Sequence, residues 1–203
     1  MADPAYIVDG VLADGEAWVG LNTATLESDT ATITFKSGFA DGDDPAGSGS
    51  GGVQNWDQYM DLVLICYAQT ATTGAAWSYL DTYLNNDTTV GNYARQRLEG
   101  DGGSVTVDVS TAFRIPVANV NLGANVFGAA VVHFFDINSG KYKSALFSAA
   151  ADGDGSGHMK TAAVTWKNQA AITEIDLVGW QGTYDIKAGS VLSLFGVLPR
   201  MVA

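Results

Sequence analysis

The chain has 203 residues, 47% of them hydrophobic and only 16% charged, a balance that excludes a disordered chain and suits one sizeable core. Its formal net charge of −12, from 22 acids against 10 bases, argues against direct contact with nucleic acid or an anionic membrane surface, since both call for a basic face. Cys66 is the single cysteine, so no intrachain disulfide is expected, and 18 of the acids are Asp, a residue of turns and strand ends.

Residues 1–30 mix turn formers with apolar anchors, among them Tyr6, Ile7, Trp18 and Leu21. They read as an extended N-terminal arm or edge segment whose apolar side chains lack an evident partner in the body. Met1-Ala2-Asp3-Pro4 shows neither the basic nor the apolar stretch of a signal peptide, and no apolar run reaches membrane-spanning length. Residues 31–203 read as a single β domain. Its first strand is Ala31–Lys36, which alternates cleanly. A flexible Gly/Ser loop follows at 41–52.

Tyr59–Ala68 is nearly all apolar, with β-branched members, as a central strand covered on both faces would be; Cys66 sits inside it as an inert buried thiol. Trp77–Leu84 is an aromatic-rich strand, Asn85-Asn86-Asp87 a turn, and Asn92–Leu98 the next strand. Val105–Val109 alternates like a half-buried strand with the valines inward, and Pro116 marks Phe113–Pro116 as an edge segment. Val126–Ile137 and Lys141–Ser148 form a hairpin. After a second glycine-rich loop come Met159–Trp166, Ala171–Val178 and Ser190–Leu198, the last two read as a terminal hairpin. Strands at this spacing, with no amphipathic helix between them, predict an all-β, antiparallel β-sandwich.

Catalytic chemistry is not legible. His133 lies inside a strand, and His158 follows a glycine loop and reads as exposed. No nucleophile elbow, phosphate loop or zinc spacing occurs, and the acids, Glu174 and Asp176 included, read as solvated turn or outward strand residues. The expectation is a protein that is not an enzyme and needs no cofactor. Asp152, Asp154 and Ser156 stand like the front half of a calcium loop, but the closing acid falls at Ala163, so a plain turn is preferred. Trp77, Tyr79 and Tyr83 alternate along one strand as a possible glycan-stacking stripe; contact with a neighbouring subunit is the preferred reading.

Four segments together resemble structural proteins of tailed bacteriophages: Tyr59–Leu64; Leu84–Asp87 leading to Gly91-Asn92-Tyr93; Phe134-Phe135-Asp136 with Lys141-Tyr142-Lys143; and Trp166–Val197, with Gly189-Ser190 before Leu194-Phe195-Gly196-Val197. The likeness spans most of Tyr59–Val197. Phe195 stands where the group usually has tyrosine, and residues 1–58 are poorly covered. The resemblance implies a jelly-roll body and a place in the virion, made in the host cytoplasm. The foremost expectation is a capsid decoration or cement protein, bridging neighbouring subunits of the major capsid protein as a homo-oligomer such as a trimer. The alternative is a tail-tip, baseplate or fibre-head protein that recognises host glycans.

Overall fold

The computed structural model of the chain describes residues 18–38, 55–73, 77–153 and 157–198, and the backbone of two short strands before them. Those two, β1 (Ile7–Val8) and β2 (Val11–Leu12), pair antiparallel with each other. Tyr6, the 41–52 loop, Asp154 and Ser156 lie outside the described residues. Among the described residues the fold is all-β, interrupted only by single 3-10 turns.

Twelve strands join in one mixed sheet of two limbs. The long limb runs in the order β3 (Trp18–Thr25), β14 (Val191–Val197), β5 (Asp61–Thr70), β10 (Gly128–Phe135), β11 (Lys143–Asp152), β12 (Gly157–Trp166), β7 (Tyr93–Gly100) and β8 (Val105–Ser110). The short limb is β4 (Thr32–Lys36), β13 (Glu174–Gly179), β6 (Trp77–Leu84) and β9 (Arg114–Asn119). The limbs meet where Gln69 and Thr70 of β5 pair with Ala118 and Asn119 of β9, the one parallel pairing among the described residues. From that junction the short limb comes back over the long one, with β9 against β10 and β11, and β6 against β5 and β12.

Alternation drives the packing. In β10 and β11 every second side chain is buried, so Ala130, Val132, Phe134, Ala145, Phe147 and Ala149 face inward. They join Leu62, Leu64, Leu80, Ile115, Val117, Leu192 and Leu194 in one continuous core. Cys66 is 1% exposed, and burial pushes its thiol up to about 12. The β6–β7 turn has Asn85 and Asn86 in the left-handed region, at φ 53 and 58, which asparagine tolerates. Asn85 Oδ1 accepts from the amides of Thr173 (2.8 Å) and Glu174 (3.0 Å), which fixes where β13 begins. Pro116 belongs to β9, which pairs with β6 along its length but with β5 only beyond Val117, so its missing donor breaks no ladder on that open edge.

Several expectations are corrected. The last two strands are not a hairpin. β13 lies between β4 and β6, while β14 lies between β3 and β5. The intervening chain turns at Trp180–Gly182, with Gln181 at φ 58, and is then held by Ile186, which bridges Thr30 and Thr70 and carries the chain to the other limb. Of the two readings of the first residues, arm or edge segment, 18–25 take the second: they form the edge strand β3, and Leu21, expected to lack a partner in the body, belongs to the core. β5 is central, yet Ile65 and Tyr67 are exposed on its outer side. Asp176 is not solvated; it is buried, burial raises its pKa, and it accepts from Thr34 Oγ1 at 2.6 Å. The valines of β8 point outward, not inward.

Candidate functional site

The register of the long limb places its outer side chains in rows. Thr23, Ser193, Ile65, Val131, Ser148, Thr161, Leu98 and Val107 form the middle row, one residue from each strand. On one side run Gly20, Phe195, Val63, His133, Leu146, Ala163, Gln96 and Val109; on the other, Thr25, Val191, Tyr67, Ala129, Ala150, Met159, Gly100 and Val105. None of the three rows contains Lys, Arg, Asp or Glu. Their only titratable side chains are Tyr67 and His133, and His133 is engaged with Asp61 through Nε2 at 3.0 Å and stacked on Phe135.

Apart from Val63, which is buried, the face is also open. Met159 is 71% exposed, Leu146 52%, and Val105, Val107 and Val109 between 73% and 79%. Two shallow grooves run through it where small side chains lie between larger ones. One, of about 650 Å³, is lined by Leu98, Val107, Val109, Leu146 and Ala163, with Arg97 and Asp108 at its floor; the other, of about 460 Å³, by Ala129, Val131, Ala150 and Met159, with Lys160 at its floor. Thr161 borders both.

The inner side of the same strands holds the opposite chemistry. Pairing puts Lys160 beside Glu99 and Ala149, and Arg97 beside Asp108 and Ala162. Lys160 is 1% exposed and its Nζ lies 3.1 Å from Glu99 Oε1. Glu99 also takes Arg97 at 2.9 Å through Oε2, and His158 Nδ1 lies 2.9 Å from its Oε1. Asp108 accepts from Arg95 and is paired with Arg97, each at 3.0 Å. The roof is aromatic: Lys160 Nζ sits 3.0 Å from the centre of the Trp77 ring and donates to Tyr79 Oη at 3.3 Å, and Arg97 also donates to that hydroxyl. Burial draws Lys160 down to about 7 against the pull of Glu99, lowers His158 and raises the Tyr79 phenol.

A lysine poised near neutrality invites a nucleophilic reading, but among the described residues the space beside it is small. The gap bounded by Trp77, Pro116, Val117, Ala150, His158 and Lys160 holds about 10 Å³, the lower limit for one water molecule. The cluster is a closed network that ties β12, β7 and β8 to β6.

Of the residues that the sequence singles out, Trp77 and Tyr79 lie over Lys160, with Tyr79 only 5% exposed, and Tyr83 is half-buried on β6. They do not form an open stacking stripe. Trp18, 47% exposed, rests against Phe195 at the β3 end of the outer face. Leu21 is in the core, and Ile7 is placed only as part of β1. Asp152 is an exposed residue at the end of β11. Among the described residues no three or more His, Cys, Asp or Glu gather as a metal site. His158, expected to be exposed, is instead half-buried against Glu99 and the Trp77 ring.

Sequence reading missed both the charged cluster and the open face, although one signal was present. Arg95, Arg97 and Glu99 alternate along β7 while Val105, Val107 and Val109 alternate along β8. Once Arg97 pairs with Asp108, the charges take the inner side and the valines must take the outer one. Comparison of the chain with protein-family models, curated proteins and solved structures finds no match.

Proposed function

We propose that this protein is a structural component of a tailed-phage virion: a jelly-roll β-sandwich whose two limbs are its two layers, acting as a capsid decoration or cement protein that bridges neighbouring subunits. It works by adhesion, not by turnover. The observation that carries this reading is the inverted polarity of β12 and β7, with Lys160, Glu99 and Arg95 buried, Arg97 and the partly exposed Asp108 of β8 paired to them on the inner side, and Met159, Leu98 and the three β8 valines outside. Water favours the reverse arrangement, and an uncharged open sheet face of this extent marks a surface that something covers. The segment likeness over Tyr59–Val197 supplies the virion context. The glycan-recognition alternative loses its platform, because Trp77 and Tyr79 are engaged with Lys160.

The test is to purify particles from the host that carries this chain and quantify it by mass spectrometry, with its position found by electron cryo-microscopy. The expected result is a fixed copy number on the head, and capsids lacking the chain that open at lower temperature. Particles free of the chain would overturn the proposal.

A further inference from the structure

We infer that the outer face of the long limb is the interface between copies of this chain. The inference rests on the adhesive reading of that face, not on its place in a particle. Three observations select a second copy as the occupant. The first is charge: the protein carries −12 overall, so two copies repel each other across most of their surface, yet the three outer rows contribute no Lys, Arg, Asp or Glu. Here two identical acidic chains approach without setting fixed like charges against each other, and a charged partner would gain nothing from those rows. The second is extent. Eight strands spaced about 4.8 Å apart span roughly 34 Å, and the rows cover about 15–20 Å along the strands, a plan area on the order of 500–700 Å². Side-chain relief brings this near the roughly 800 Å² per partner of a standard stable interface. The third is shape: the face carries both ridges, Leu146 with Val107 and Met159, and the grooves beside them, so one copy supplies the knob and the hole that the other needs.

Sedimentation velocity of the full chain across the micromolar range tests this, with two variants placed on exposed positions of the face, Ala163→Arg and Leu146→Glu. Circular dichroism melts of each variant check that the body is folded. The expected result is a self-associated wild-type chain and, for each folded variant, association weakened about a hundredfold by burying an unpaired charge. A monomeric wild type, or folded variants that associate as the wild type does, would overturn the inference. Because either result can be obtained whether or not the chain is found on particles, failure here is distinct from failure of the virion assignment.

Discussion

Lys160 has the most unusual surroundings of any side chain described. A lysine in the unfolded chain keeps its proton to about 10.5, whereas Lys160 in the fold releases it near 7. Between those values the unfolded chain binds more protons, so this residue makes stability rise with pH from about 7 upward, with its full penalty in place below 7. Above about 10 the buried phenols of Tyr79 and Tyr93, both raised by burial, reverse the trend, because the unfolded chain then loses those protons first. Calorimetry should give a higher melting temperature at about pH 9 than at pH 7, and Lys160→Met should flatten that slope. Below pH 7, where Lys160 keeps its proton, the network is asymmetric: Arg95, Arg97 and Lys160 face Glu99 and Asp108. Lys160→Met leaves two cations against two carboxylates and is expected to cost less than about 1 kcal/mol. Glu99→Gln leaves three cations around one carboxylate and should cost about 3 kcal/mol, a fall of roughly 6–12 °C in melting temperature. Equal losses in the two variants would contradict this charge balance. Close packing sets a second constraint at this scale. A Cβ on Gly196 would lie 2.5 Å from the ring of buried Tyr59, so Gly196→Ala should cost about 1–3 kcal/mol in denaturant titration.

Strands were legible as strands because alternation and turn residues are local signals. The β10–β11 hairpin and the Asn85-Asn86 turn follow from residues that are neighbours in sequence. What alternation does not give is which side of a strand is inside. That choice was made in β8 by Asp108, whose arginine partners lie on β7, and in β12 by Lys160, whose partners come from β6 and β7. Met159 therefore went outside although it is the more apolar of the two neighbours. The terminal hairpin was misread for a related reason: Ile186 bridges Thr30 and Thr70, contacts over a hundred residues away that leave no local mark. The same holds for β3, which is stabilised by β14 at the other end of the chain. Leu21→Ala should therefore destabilise the body by about 2–5 kcal/mol, as a core truncation does, and not merely weaken assembly. A Leu21→Ala chain that melts like the wild type would return residues 18–25 to the status of a detachable arm.

The whole molecule combines a strongly acidic chain with one broad uncharged face. If copies meet through that face, the electrostatic term opposes association and apolar burial drives it. Raising salt from low ionic strength to about 0.15 M shortens the screening length to about 8 Å, so self-association should strengthen with salt. Weakening with salt would mean that ion pairs form the contact. The most direct test of the account is hydroxyl-radical footprinting over a concentration series, read at Met159 and Tyr67 on the face and at Tyr142, which is 58% exposed on the β10–β11 turn. The predicted result is oxidation of Met159 and Tyr67 that falls as the chains associate while Tyr142 stays constant; protection of Tyr142 alone, with Met159 and Tyr67 reacting freely throughout, would contradict it.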